Sequence, residues 1–186
     1  MDGLVSLLDQ RHHDRVEVLS GLLQDRCGLQ DRRATPFPHF SWQVAESFDF
    51  PELPERMAEW AHEQAPFSVR TNGLGLFSAP EPVLYLPIIR TAHLNRLHAQ
   101  LWEIFSHLRR GENTYYAPEA WIPHVTLSMG GITQEQVACA IRLLARQSYE
   151  WTISINNLAV LFQPPGQPAR IGYRHEFKQT DQDEGD

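Results

Sequence analysis

The sequence predicts an α+β fold of two related lobes, on three observations. Segments with helical periodicity and short alternating segments follow one another along the 186 residues. The tetrad Pro-His-x-[Ser/Thr] occurs twice, at Pro38-His39-Phe40-Ser41 and at Pro123-His124-Val125-Thr126. Each copy opens the same order of elements: strand, helix, strand, strand. The chain from Pro36 to Phe177 therefore divides into two similar halves, each with an antiparallel sheet, flanking a central cleft.

Taken in order, residues 2–28 predict a helix. Leu4, Leu7, Leu8, Val16, Leu19, Leu22 and Leu23 recur near a 3.6-residue period, and Gly28 is the stop. Its polar middle places His12 and His13 on a solvated face, where adjacent positions diverge by about 100° and cannot chelate one ion together. A polar connector follows, with Arg32 and Arg33 as exposed loop charges. Residues 37–45 alternate as a strand. Phe37, His39, Ser41 and Gln43 form the polar face, and Phe40, Trp42 and Val44 the apolar one. Pro38 marks its start. Residues 51–64 predict a helix burying Leu53, Met57, Trp60 and Ala61, with His62 at the surface.

A strand over 67–77, whose Gly73 and Gly75 indicate a bulge or a close backbone approach, forms a hairpin with a strand over 83–89. Residues 91–110 predict a helix capped by Thr91, with His98 as a core histidine on its buried face. After a loop with Tyr115 and Tyr116, residues 121–128 form the second tetrad strand. Ile122, His124, Thr126 and Ser128 share one of its faces. Thr133 and Gln136 spell a capping box for a helix burying Val137, Ile141, Leu144 and Ala145. A strand pair over 149–162, broken at Asn156-Asn157, and a last strand over 169–177 carrying Tyr173 complete one bilobal domain over residues 1–178. The acidic tail 179–186 is predicted to be disordered.

Twenty-three acidic against 16 basic residues give a net charge of −7, which argues against a long nucleic-acid duplex as partner. A local phosphate pocket on an acidic protein favours a small nucleotide or the end of an RNA strand. Cys27 and Cys139 have no metal-ligand spacing. They read as thiols in a reducing cytoplasm, with a disulfide between them as the alternative. No apolar run reaches membrane length and no signal-peptide core is present, so a soluble cytoplasmic protein is expected. Despite nine histidines there is no HExxH or comparable spacing, and neither a metal nor a cofactor is expected. Oligomeric state is not legible.

The chemistry resides in the tetrads. A strand places residues i and i+2 on one face, so His39 points with Ser41 and His124 with Thr126. Two imidazoles and two hydroxyls facing one cleft bind a phosphate and move protons around it. Tyr115 and Tyr116 are candidates for stacking a base, with packing over the core rim as the other reading. Tyr173 is a further substrate-binding candidate.

His39-Phe40-Ser41 and His124-Val125-Thr126, with the duplicated element order, resemble the 2H phosphoesterase superfamily. That group includes the LigT-like RNA 2′,3′-cyclic phosphodiesterases often called 2′-5′ RNA ligases. The resemblance implies a LigT-like bilobal fold and metal-independent hydrolysis of a 2′,3′-cyclic phosphate to a 2′-phosphate. It implies His124 as base, His39 as acid, and Ser41 and Thr126 as phosphate-binding residues. The N-terminal helix and the acidic tail fall outside it. Two alternatives remain at this point: a non-catalytic nucleotide- or phosphate-binding module using the same cleft, and 2′-5′ RNA ligation.

Overall fold

A computed structural model describes residues 1–29, 35–48, 51–78, 82–111, 113–164 and 167–178. Arg32, Arg33 and the acidic tail lie outside the described residues. The strands are β1 Asp2–Leu7, β2 His39–Ala45, β3 Ser47–Phe48, β4 Phe67–Arg70, β5 Gly75–Phe77, β6 Val83–Pro87, β7 Arg109–Arg110, β8 His124–Met129, β9 Thr152–Ile155, β10 Asn157–Phe162 and β11 Arg170–Glu176. The helices are α1 Gln10–Cys27, α2 Leu53–Glu63, α3 Ala92–Phe105 and α4 Gln134–Leu144. Two larger antiparallel sheets dominate, ordered β11-β10-β1-β2 and β5-β6-β8. The pairs β3–β7 and β4–β9 are separate.

The first correction concerns the N-terminus. Residues 2–7 form a strand, not the first turns of a helix. β1 is an interior strand between β10 and β2, and Leu4 to Leu7 are all buried. A strand buried on both faces shows no alternation, so its leucines fell in with the helical period of the next segment. The helix itself starts after Asp9, whose carboxylate accepts the His12 backbone N–H at 2.9 Å. His12 is buried rather than solvated. Its Nδ1 meets the Asp9 carboxylate at 2.8 Å and its ring packs on Trp151. Gly28 ends α1 in the left-handed conformation at φ 64°, as a helix stop requires.

The two halves exchange parts. β1 and β6 each pair antiparallel with a tetrad strand, β2 and β8 respectively. Counted from β1 and from β6, each half opens strand, helix, tetrad strand, so the strand over 83–89 begins the second half instead of closing the first; β5, from the first half, adds to β6 of the second, while β10, from the second, adds to β1 of the first. The helices cross over as well. α1 connects β1 to β2 yet packs on β8, where the Ser20 hydroxyl donates to the Leu127 carbonyl at 3.4 Å. α3 connects β6 to β8 yet packs on β2. The first helix thus belongs to the repeat instead of standing outside it.

α3 stops at Phe105, short of the expected residue 110. A single 3₁₀ turn and β7 follow, and β7 pairs with β3. In α4 the capping box forms as expected, but Ala140 and Leu144 are the buried residues, and Ile141 is 38% exposed. Asn157 explains the break between β9 and β10. It is buried, its side-chain carbonyl accepts the Leu7 N–H at 2.9 Å, and its amide donates to the Leu7 carbonyl at 3.0 Å.

Cys27 and Cys139 form a disulfide that joins the end of α1 to α4, which overturns the expectation of thiols. A separation of 112 residues carries no signal of pairing in one sequence. Gln136 Nε2 donates to the Gly28 carbonyl beside it at 2.8 Å, so the same helix ends are held twice. Closing so long a loop restricts the unfolded chain. Reduction, or the double substitution Cys27→Ala and Cys139→Ala, is expected to lower the unfolding free energy measured in urea by about 2–5 kcal/mol. An unchanged value would show that the bond carries no stability.

Candidate active site

β2 and β8 are in direct contact, and both line one cleft of about 670 Å³. His39, Ser41, His124 and Thr126 are all on its wall. The structure therefore brings the four tetrad residues to one space.

The two strands share a local irregularity. Along β2, Val5 is opposite Ser41 and Leu4 is opposite Gln43, so Trp42 is an extra residue. Along β8, Tyr85 is opposite Thr126 and Leu84 is opposite Ser128, so Leu127 is extra. A β-bulge therefore follows the hydroxyl residue in both copies, and it reverses the alternation beyond. Gln43 turns inward and Val44 reaches the cleft; likewise Ser128 turns inward and Met129 reaches it. The expected faces hold for His39, Ser41, His124 and Thr126 and fail for Gln43, Val44 and Ser128.

Each imidazole is tied to its own strand. His39 Nδ1 lies 2.6 Å from the Phe37 carbonyl and His124 Nδ1 lies 2.7 Å from the Ile122 carbonyl. A carbonyl only accepts, so Nδ1 carries the proton in both rings, and acid–base chemistry falls to Nε2. Burial pushes the His124 pKa below the ordinary histidine value, against the opposing pull of the Ile122 carbonyl. Its ring is walled by Phe77, edge-on at 5.1 Å, and by Tyr85 at 5.0 Å.

Behind β2 is an aromatic stack. Trp121, three residues before His124, lies 5.6 Å from Trp42 and 3.8 Å from His98, centroid to centroid. Its indole N–H donates to the Ser41 carbonyl at 2.9 Å. His98 Nε2 donates to the Trp42 carbonyl at 3.1 Å. Arg90 covers Trp121 with its guanidinium 5.7 Å from the ring centroid and donates to the Trp121 carbonyl at 2.9 Å. On the far side of the bulge, Gln43 Nε2 donates to the Leu101 carbonyl of α3 at 2.7 Å. His98 is the core histidine expected from its helix face.

Tyr115 and Tyr116 line the cleft. Tyr115 is 80% exposed. Tyr116 instead has its hydroxyl hydrogen-bonded to the Ser41 side chain; burial pushes its pKa up and that bond partly offsets it. Tyr173 does not line the cleft. It sits on the edge strand β11, edge-on to Phe162 at 6.3 Å. Sequence reasoning missed Phe77, Met129 and Val44 as cleft residues, and Asp2, which lines it beside Gly3. Among the described residues, no group of three His, Cys, Asp or Glu side chains could hold a metal ion, and no helix is long and apolar enough to cross a membrane.

The family model described as the 2′-5′ RNA ligase superfamily matches residues 14–163, which include most of α1 and both tetrads. The fold is similar to the crystal structure of TT0787 of Thermus thermophilus, with a TM-score of 0.65 and 16% identity over 95% of this chain and 97% of that one. It is also similar to a crystal structure described as a phosphoesterase, with a TM-score of 0.57 and 13% identity over 96% and 98%. At these identities the likeness concerns the fold. No curated protein matches the chain.

The environment of His98 has a measurable consequence. Burial outweighs the Trp42 and Tyr116 carbonyls and, with the nearby Arg90 charge, lowers its pKa to about 4. Between pH 6.5 and 4 the unfolded chain binds a proton that the native state refuses, so stability falls as pH falls through that window. The share due to His98 is about 3 kcal/mol. NMR titration of its ring should give a midpoint near 4; an ordinary histidine midpoint would contradict this packing.

Proposed function

The chain belongs to the 2′-5′ RNA ligase superfamily of 2H phosphoesterases, and from that premise we propose that it opens 2′,3′-cyclic phosphates, on a small nucleotide or an RNA end, to 2′-phosphates. The supporting observation is the matched pair of tetrads: both imidazoles line one cleft with Nδ1 bound back to the carbonyl two residues earlier.

In this reading His124 is the base. Its Nε2 lone pair takes a proton from water as the water oxygen attacks phosphorus. His39, protonated on both nitrogens, gives its Nε2 proton to the ribose 3′ oxygen as the P–O3′ bond breaks. The 2′ oxygen keeps the phosphoryl group. One proton is taken and one delivered, so the reverse protonation states left behind are reset by solvent. In-line displacement needs the two groups on opposite sides of phosphorus, and two lobes facing one cleft supply them. Ser41 and Thr126 hydroxyls donate to the non-bridging oxygens, where negative charge is held in the transition state. Tyr116 holds the Ser41 hydroxyl in place. Burial of His124 suits the assignment, because a lowered pKa keeps that ring neutral at pH 7.

Each acid–base group contributes about 10²–10⁴-fold. Incubation with 2′,3′-cyclic nucleotides in EDTA should yield 2′-nucleotides with the wild-type protein, and His39→Ala or His124→Ala should lose about 10²–10⁴-fold in kcat. Equal rates in all three would remove the proposal. Tight binding of a 2′-nucleotide without turnover would leave the binding module in its place. The kcat/KM profile should be bell-shaped. His124 must be neutral to act, and its pKa is lowered, so the acid limb should lie below pH ~6.5.

A further inference from the structure

The two tetrads share a backbone but not a setting. Opposite Ser41 the neighbouring strand presents Val5; opposite Thr126, at the equivalent register position, it presents Tyr85. The Tyr85 ring lies 5.0 Å from that of His124 and stacks on Phe77 at 4.2 Å and 28°, while Phe77 meets His124 at 5.1 Å and 82°. The three rings thus touch pairwise, and two faces of the imidazole environment are aromatic.

Tyr85 can lie there only because its partner on β5 is a glycine. Gly75 is opposite Tyr85 in the hairpin, and a Cβ built on Gly75 would stand 2.2 Å from two carbons of the Tyr85 ring. Real Cβ contacts essentially never come so close, and the atoms met belong to a rigid ring. Gly75 does not serve a positive φ; it serves as the floor on which an aromatic ring lies flat.

We propose that Tyr85, seated over Gly75, is a positioning residue that fixes the ring of His124, the base of the proposed reaction. This rests on the reading of the cleft as a phosphodiesterase site. The Ile122 carbonyl fixes one ring atom, and Tyr85 with Phe77 fixes the plane. The same rings cover part of the half-buried imidazole, and burial disfavours its charged form. Among the described residues, the other titratable groups lining the cleft with His124 are His39, Tyr115, Tyr116, the N-terminal amine of Met1, and Asp2, which pairs with Ala45 at the opposite end of β2 from His39. The shift of His124 comes from burial and the Ile122 carbonyl, with no charged side chain contributing.

The test is an NMR titration of the His124 ring in the wild type, Tyr85→Phe, Tyr85→Val and Gly75→Ala, together with kcat/KM against pH. Tyr85→Val reproduces the Val5 side of the cleft. It and Gly75→Ala should raise the His124 midpoint toward the ordinary histidine value, and the acid limb should move up with it. Near pH ~5.5 that is a loss of about threefold or more beyond any loss seen near pH ~8. Tyr85→Phe keeps the ring and should leave both unchanged. If Tyr85→Val does not fold, Gly75→Ala decides. A His124 midpoint that stays at the wild-type value in a folded variant would overturn the proposal. Because the titration needs no turnover, failure of the catalytic reading shows separately, as an absence of product with the wild-type protein.

Discussion

Among the hydrogen bonds that couple the two halves of the site, one joins the two tetrad segments directly. Trp121, in the lead-in to the second tetrad, donates its indole N–H to the carbonyl of Ser41 in the first. Trp121 is buried in the stack with Trp42 and His98, and Ser41 is half-buried on the cleft wall. A buried carbonyl that lost its donor would carry a cost of about 1–3 kcal/mol, so the contact is strongly specified. Because Ser41 bears one hydroxyl of the cleft and Trp121 precedes His124, this bond sets one tetrad relative to the other. Arg90 and His98 both pack on the indole ring.

Exchange of elements between halves makes the same point at the scale of the fold. Neither large sheet is complete without a strand from the other half, and the helix of each half backs the tetrad strand of the other. A cleft between two such lobes is held by both cores at once. Its two walls have the same bulge after the same hydroxyl position, which lets one backbone solution place two imidazoles and two hydroxyls. Symmetry alone, however, would give two histidines of equal character. The two walls differ one strand away, where Val5 faces one tetrad and Tyr85 the other.

Much of this was legible in the residues. The tetrads, their shared face, the capping box at Thr133, the cap at Thr91 and the buried histidine at 98 follow from local rules that the structure obeys. What escaped shares a physical cause: long-range partners decide it. β1 is hidden because an interior strand is apolar on both sides. The inward turn of Gln43 and Ser128 depends on bulges, which exist only in pairing with β1 and β6. Tyr173 has the right alternation for a face, but the strand order puts it on a sheet edge, where its ring meets Phe162 and does not itself line the cleft. The disulfide joins two helix positions that meet only after the halves have exchanged elements. Gly75 reads in the sequence as a bulge or a close backbone approach, whereas the group that approaches it is a side chain, the ring of Tyr85.

The central claim is that His39 and His124 attend one phosphoryl group. It is tested most directly by following both imidazole resonances while a 2′-nucleotide, the expected product, is titrated into the wild-type protein. Both rings should shift together and saturate at one equivalent, with Nε2 as the nitrogen affected in each. A shift confined to one ring, or saturation at two equivalents, would contradict the account.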